Sequence, residues 1–531
     1  MADIAPTPPV LRPENPPGHL LAELAARFAE RTVGELADAA VTGITLATAD
    51  LRPGEVFVAL QGVNRHGAEF SADAAAKGAI AVLTDEAGVP EARAAGLPVL
   101  VVEEPRSRLG EISSWVYGTD RDMPLLLAIT GTNGKTSVSH LVEGMLRALG
   151  MTTGLSSTAE RHIAGQVIPS RLTTPESSEM HALLALMRER GVEAAMVEVS
   201  AQALSRHRVD GIVFDVAGFT NLTHDHLDDY GDMATYLEAK LDLFRPERSR
   251  RAVVCVDSPE GREVARRSSV PVTTVLTPAL ADGPVEADWT VDILEERQDG
   301  TWFRLHHRDG RDVVTTVPVI GGHMASNAGL AIVMLLEAGV AADDLFGLVR
   351  DARIPAELPG RIQRVSGPDG PAVYIDFAHS PDAFVKTLDA VRHVTPGRVI
   401  MVTAANGDRD VTKRAEMGAT AAQGSDILVI TDQHPRSEDP AGIRTALIAG
   451  ARAARPDADI HEVVPPERAI EVAVQLAAAG DAIVWAGPGH QHYREISGVR
   501  VPFDAAEAAR AALTASGWPT DAAHGKSTIV D

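Results

Sequence analysis

The chain has 531 residues, 45% of them hydrophobic, and its 73 acidic against 49 basic side chains give a formal net charge of −24. That length exceeds what one hydrophobic core serves, and the acidity argues against a nucleic-acid surface. Cys255 is the only cysteine, which excludes disulfides within the chain and argues against cysteine-based zinc sites. No stretch approaches the ~18 apolar residues of a membrane span, and the start has no basic region followed by an apolar run, so a soluble cytoplasmic protein without a membrane partner is predicted.

In chain order, the first residues, to about residue 20, are rich in proline and are predicted to be disordered. Leu20 to Ala39 is amphipathic. Val41 to Leu46 and Glu55 to Leu60 read as short strands around the turn Arg52-Pro53-Gly54, and Ala79 to Thr84 reads as a further buried strand after a helix ending near Gly78. This pattern predicts a small α/β domain over residues 1–123.

The apolar run Leu125 to Ile129 reads as a buried strand. It leads into Thr130-Gly131-Thr132-Asn133-Gly134-Lys135-Thr136-Ser137, and then into a segment with Val138, Leu141, Met145, Leu146 and Leu149 on one helical face. Strand, glycine loop and helix in that order form a phosphate cradle, because backbone N–H groups and the helix N-terminus converge on anionic oxygens. Lys135 is placed to neutralise β/γ-phosphates and the Thr136 hydroxyl to hold Mg²⁺. Ile129 stands where the general pattern has its first glycine, so the loop is a variant. A glycine-rich turn without a ligand is the plainer alternative.

Further strands are predicted at Ala194 to Val199, Val213 to Val216 and Ala252 to Val256, and antiparallel hairpins over Thr290 to Val319. Glu198 ends one of these strands, where a carboxylate beside a phosphate loop suits Mg²⁺. From Ile354 on, strands at Ala372 to Phe377, Arg398 to Thr403, Asp426 to Thr431 and Asp481 to Ala486 alternate with helical stretches, which predicts a doubly wound sheet. The expected fold is α/β in three domains: an N-terminal α/β domain, a central P-loop ATPase-like domain over 124–355 with a β insertion, and a C-terminal Rossmann-like domain over 356–531.

The form Gly-Thr-Asn-Gly-Lys-Thr resembles the Mur ligases, the ATP-dependent amino-acid ligases of peptidoglycan precursor synthesis, and their folylpolyglutamate synthase relatives. The segment Leu46 to Gly67 resembles the uridine-nucleotide domain of the Mur ligases that add the third stem residue, and folylpolyglutamate synthases lack such a leading domain. By this resemblance Leu46, Thr48, Val63, Asn64 and Arg65 contact the UDP-muramoyl group, and Thr173, Thr174, Ser200, Arg206 and Arg208 the muramoyl dipeptide. Thr174 before Pro175 also reads as a helix N-cap. The segment Asn221-Leu222-Thr223-His224-Asp225-His226-Leu227-Asp228 resembles a family motif, and the resemblance implies that His226 is a ligand of a second Mg²⁺ and Lys240 the lysine that the family carbamylates with CO₂. Without that motif Lys240 reads as a surface lysine on a helix from Met233 to Leu243.

The resemblance also implies that Asn327, Arg361 and Asp376 close on ATP, and that Arg409, Gln433, His434, Pro435, Arg436, Gly487 and Gln491 form the amino-acid site, with Arg409 on the α-carboxylate. Gln433-His434 and Gln491 depart from the pattern that reads meso-diaminopimelate, so lysine, ornithine, a shorter diamino acid and a hydroxy amino acid stay open as acceptors. The implied activity is a monomeric ligase acting on small molecules: ATP, an amino acid and UDP-N-acetylmuramoyl-L-Ala-D-Glu. The alternatives are a ligase-like ATP-dependent switch without ligation and a folylpolyglutamate synthase-like ligase.

Overall fold

A computed structural model of the chain describes residues 9–62 and 64–521. Its strands form three larger sheets and a small C-terminal hairpin. In the first sheet the spatial order is Arg31–Val33, Val99–Val101, Ala81–Thr84, Glu55–Ala59, Gly43–Thr45, parallel except for the antiparallel first pair. The amphipathic stretch from Leu20 divides: Leu21–Phe28 is helical and buries Leu21, Leu24, Ala25 and Phe28, after which Arg31–Val33 joins the sheet.

The central sheet runs Asp312–Val317, Gly300–His307, Trp289–Arg297, Val272–Leu276, Ala252–Cys255, Val216–Phe219, Leu125–Thr130, Ala194–Glu198, Thr153–Ser156, Glu160–Ile163, Gln166–Pro169. Its middle is parallel and each edge ends in antiparallel strands. The expected β insertion therefore extends the central sheet instead of standing apart from it. The strand expected at Val213 to Val216 lies at Val216–Phe219, because parallel pairing aligns Val216 with Leu127 and Phe219 with Thr130. The strands through the middle are continuous apolar runs because helices cover both faces. Lys135–Ala148 and Gly322–Glu337 pack on one face, with Val138, Leu141 and Met145 of the first and Leu330, Val333 and Met334 of the second in a single core.

The last sheet has the order Gln363–Arg364, Ala372–Asp376, Ala482–Ala486, Val399–Thr403, Ile427–Ile430, Asp459–Glu462, parallel after its antiparallel first pair. The core that covers the central sheet continues into this one through Phe384, Leu388 and Val484. Among the described residues no helix is long and apolar enough to cross a membrane.

The disorder expected to about residue 20 does not hold for the described residues from Pro9 onward. Arg12 is buried, and its Nε donates to Glu55 Oε1 at 2.6 Å. The Glu14 and Asn15 amides donate to the Glu189 carboxylate, both at 2.7 Å, and His19 stacks on Trp115 at 3.9 Å between centroids. A proline-rich segment has no core of its own, but here it is fastened by charge and ring contacts to the first sheet's unit and to the helix Ser177–Glu189. Residues 1–8 lie outside the described residues.

Removing one partner of a buried ion pair strands the other charge, at a cost of ~3–5 kcal/mol. Arg12→Met is expected to lower stability by about that amount, with part of the loss recovered in Arg12→Met/Glu55→Leu. Chemical denaturation checks this, and an unchanged midpoint in the single variant would show that the pair does not hold the segment.

Candidate functional site

The phosphate loop leaves the strand Leu125–Thr130 and enters the helix Lys135–Ala148. Gly131 has φ 147° and a Cβ there would stand 1.9 Å from Thr220 Oγ1; Gly134 has φ 90° and its Cβ would meet Asn327 Oδ1 at 2.6 Å. Both positions therefore require glycine. The loop is seated in the turn that follows Val216–Phe219. The Thr132 amide donates to Asn221 O at 2.9 Å and the Asn133 amide to Asn221 Oδ1 at 3.0 Å, while Thr220 Oγ1 and Asn221 Nδ2 donate to Asn133 O at 2.6 and 3.1 Å. Ser137 is buried at the helix start.

Two amines converge on one carbonyl. Lys135 Nζ donates to Gly131 O at 3.0 Å and Thr132 O at 2.9 Å, and Lys240 Nζ donates to Gly131 O at 2.8 Å. Lys240 lies in the helix Met233–Leu241, is 1% exposed and sits 4.5 Å from the Tyr236 ring centroid. It is not a surface lysine. Burial first, and the Lys135 charge second, push its pKa well below the usual lysine value, which favours the neutral amine.

Glu198 is fully buried, with Thr158 N donating to Oε1 at 3.0 Å and Thr158 Oγ1 to Oε2 at 2.9 Å. Asp225 is the second acid of the site. Burial raises its pKa, but His226 and then Lys413 outweigh burial and hold it down at about 2. Lys413 Nζ is 3.6 Å from Asp225 Oδ1, and His226, with φ 55° and a half-exposed ring, is 3.7 Å from Oδ2. Among the described residues no group of three or more His, Cys, Asp and Glu side chains forms a metal cage by itself. Thr136 and Glu198 still offer hard oxygens beside the loop.

From the last sheet's side, Arg361 Nη2 donates to Thr136 Oγ1 at 2.9 Å, and its guanidinium lies 4.6 Å from the Phe377 ring centroid. Asp376 faces inward, accepting from Ile362 N at 3.1 Å and Thr387 Oγ1 at 2.7 Å, so it fixes the turn that carries Arg361. Asn327 is buried against Gly134.

The expected acceptor residues occupy three loops at strand ends. Arg409 is exposed between Val399–Thr403 and Lys413–Gly424. Glu495 N donates to His434 Nδ1 at 2.9 Å, so Nε2 carries the proton and donates to Gln491 Oε1 at 2.7 Å. Burial lowers the His434 pKa and keeps the ring neutral. Arg436 donates to Gly407 O at 3.1 Å and faces Glu495 at 3.5 Å. Pro435 packs against Gly407, and Gly487, φ 122°, gives room to the buried Gln433, whose Nε2 has no hydrogen-bond partner among the described residues.

Thr174 is not the helix cap expected. The helix Ser177–Glu189 has Glu176 as its N-cap, and the Thr174 hydroxyl instead donates to Glu198 O at 2.8 Å and accepts from Ser200 N at 3.1 Å, tying its loop to the end of the strand Ala194–Glu198. Thr173 Oγ1 is 3.0 Å from Thr158 Oγ1. Ser200 caps Ala201–Ser205, Arg208 is buried on Glu176 at 2.7 Å, and Arg206 is half-exposed, 3.3 Å from Asp229. In the first unit Leu46 is half-buried, Thr48 accepts Lys77 Nζ at 2.9 Å through its carbonyl, and Asn64 and Arg65 are exposed. Val63 lies outside the described residues. Sequence reading assigned no role to Thr158, Asp225 or Asp382; the Asp225-His226 pair was the available signal, whereas nothing local marks Thr158.

The family comparisons agree with this geometry along the chain. The Mur ligase family catalytic domain matches residues 40–117, the Mur ligase middle domain 129–335 and the Mur ligase glutamate ligase domain 360–489. A UDP-N-acetylmuramyl-tripeptide synthetase of Leifsonia xyli is 53% identical over 514 residues, 97% of this chain and 99% of the relative. A UDP-N-acetylmuramoyl-L-alanyl-D-glutamate–2,6-diaminopimelate ligase of Streptomyces coelicolor is 41% identical over 92% of this chain and 97% of its own length. A solved structure of a ligase with that same description superposes with a TM-score of 0.64 at 26% identity, over 94% of this chain and 99% of that one.

Behind the loop, the helix Lys135–Ala148 buries Glu143 against His162 Nδ1 at 2.8 Å, and His162 Nε2 reaches Glu160 at 3.0 Å. Burial opposes the imidazolium, but bonds to Glu143 and then Glu160 outweigh it and raise the His162 pKa to about 9. A raised folded pKa gives stability that is complete below the unfolded value of ~6.5 and is lost as pH rises through about 9. Wild type is therefore expected to lose stability across that window, by at most ~1.4 kcal/mol per pH unit, and His162→Gln to lack this component. Equal slopes for the two proteins in denaturation at pH 6.5 to 9 would refute the assignment.

Proposed function

The chain belongs to the Mur ligase family, and from that premise we propose that it is an ATP-dependent ligase adding the third stem residue, a diamino acid, to UDP-N-acetylmuramoyl-L-alanyl-D-glutamate in peptidoglycan precursor synthesis. The observation that carries this reading is the buried Lys240 amine beside Lys135 on the Gly131 carbonyl of a phosphate loop. We assign the UDP-muramoyl group to a unit of residues 1–123, ATP to 124–355 and the acceptor to 356–531, in a monomer of the cytoplasm.

In this reaction the γ-phosphoryl group passes to the D-glutamate side-chain carboxylate, giving an acyl phosphate and ADP. The acceptor amine attacks the acyl carbon, and the tetrahedral intermediate collapses with loss of phosphate and a proton. Lys135 is the cation that exchanges the loop carbonyls for the transferring group, and Arg361 faces it from the opposite wall. No enzyme nucleophile takes part.

The donor set fits Mg²⁺: Thr136 and Glu198 for one ion, His226 and the carbamate of Lys240 for a second. Mg²⁺ held there would supply positive charge against the phosphates. The carbamate forms when the neutral Lys240 amine, favoured by burial and by the Lys135 charge, adds to CO₂ and releases a proton, which turns a neutral buried group into an anion that attracts Lys135.

Arg409 is assigned to the acceptor's α-carboxylate, and Arg436 holds the loop beside it. Because His434 takes the Gln491 carbonyl, residue 491 is left with N–H donors. An acceptor that stops short of Gln491, or meets it with a hydrogen-bond acceptor, fits this better than one delivering an ammonium there.

The reading is tested with purified protein, ATP, UDP-N-acetylmuramoyl-L-Ala-D-Glu and a panel of meso-diaminopimelate, L-lysine, L-ornithine, shorter diamino acids and a hydroxy amino acid. One of them is expected to drive phosphate release and tripeptide formation. Phosphate release indifferent to every amino acid would point to an ATP-driven switch instead. Lys240→Ala is expected to lose roughly 100–1,000-fold in kcat, with recovery only from short carboxylic acids that occupy the carbamate's place; full activity without them would remove the carbamate.

A further inference from the structure

We propose that Asp382 is a positioning residue that latches the last unit onto the phosphate loop through the Asn133 side chain. Asn133 Nδ2 donates to Asp382 Oδ2 at 2.9 Å across 249 residues of sequence. Lys386, one turn along the helix Pro381–His393, donates to the same oxygen at 2.9 Å and holds it in place. Neither side chain is buried: Asp382 and Lys386 are about one-third exposed.

The Asn133 backbone is already committed, its amide and carbonyl being held by Asn221 and Thr220. Its side-chain Nδ2, with two N–H donors, makes both a bond to Thr223 Oγ1 on its own side, at 3.3 Å, and the bond to Asp382 on the opposite wall. Asp382 has no structural need of Asn133, since Ser380 caps its helix. Other bonds cross the same boundary: Arg361 to Thr136 engages groups assigned to ligands, Lys413 to Asp225 joins two charges of the site, and the pairing of Gln298 with Val394 and Arg364 involves no residue of the loop. The Asp382 bond touches only the loop's own side chain, so it couples the loop's shape to docking of the unit that carries the acceptor. Such coupling is reciprocal: nucleotide that favours the Asn133 side chain in its Asp382-facing position favours docking, and docking favours that position of the side chain.

The proposal rests on the ligase reading only in that the loop binds ATP, and the test separates the two. Asp382→Ala and Asn133→Ala are each expected to lower kcat about 10-fold at saturating ATP and to raise the apparent KM of the acceptor, because fewer molecules are docked. The double variant should be no worse than the poorer single, and Asp382→Asn, which keeps a carbonyl acceptor for Asn133, should recover most of the loss, with melting temperatures unchanged. Independently of turnover, small-angle scattering with a non-hydrolysable ATP analogue should find wild type compact and Asp382→Ala expanded. Asp382→Ala as compact as wild type, or losses that add in the double variant, would overturn the latch even where ligation is confirmed. Absence of ligation with the scattering difference intact would overturn the ligase reading alone.

Discussion

Asn221 holds the phosphate loop by its backbone carbonyl and by both ends of its amide, and the rest of the site depends on that grip. The Thr132 and Asn133 amides are spoken for by protein groups, so the curve of the loop is set before any anion arrives. Parallel pairing supplies the alignment: Ile129 lies beside Glu198, and Thr130 beside Phe219. Three neighbouring strands therefore end together, which sets side by side the glycine loop after Thr130, the Glu198 carboxylate at the last position of its strand and the Thr220-Asn221 clasp after Phe219. Ligands of open parallel sheets collect at such carboxyl ends because the loops there converge while the strands stay fixed.

That alignment has an electrostatic consequence. Two lysines are brought to one carbonyl with burial working against both charges, and Glu198 and Asp225 are the acids that favour Lys135 in its charged form. Asp225 can stay ionised in a buried place because His226 and Lys413 are beside it, and Lys413 belongs to the last sheet's unit. The charge balance at the loop is thus completed from the opposite wall. Burial, with Lys413 as the second cause, pushes the pKa of neighbouring His379 down to about 4, which leaves this ring neutral and adds no further cation.

The elements legible in the sequence were those whose signal is local. The run Leu125 to Ile129, the glycines and the helical face from Val138 lie within one short window, and the strand carrying Glu198 is an apolar run with a single acid at its end. Thr158 was not legible, because its contacts depend on the short hairpin Glu160–Ile163 and Gln166–Pro169, whose mixed residues show no alternation and are buried only by what packs around them. Arg12 failed for a related reason. A charged residue among prolines reads as solvated, and only Glu55, far along the chain, makes it a core residue. Thr174 carried a true cap signature, Thr before Pro, but the strand end at Glu198 competed successfully for its hydroxyl.

The glycine loop and the facing loops of the last sheet are built on different principles. The glycine loop is backbone, tied into a sheet and intolerant of a single Cβ. The facing loops are bridged by side chains from three strand ends: His434 to Gln491 joins the loops after Ile427–Ile430 and Ala482–Ala486, and Arg436 to Gly407 adds the loop after Val399–Thr403. Arg436 is held at φ 51°, a conformation disfavoured without glycine, by bonds from its own amide to Glu495 O at 3.1 Å and from Ser497 N to its carbonyl at 2.8 Å. Strain kept by its surroundings marks a side chain whose direction matters. His434 also accepts from Glu495 N in the strand Tyr493–Ile496, so side chains tie the C-terminal hairpin to these same loops.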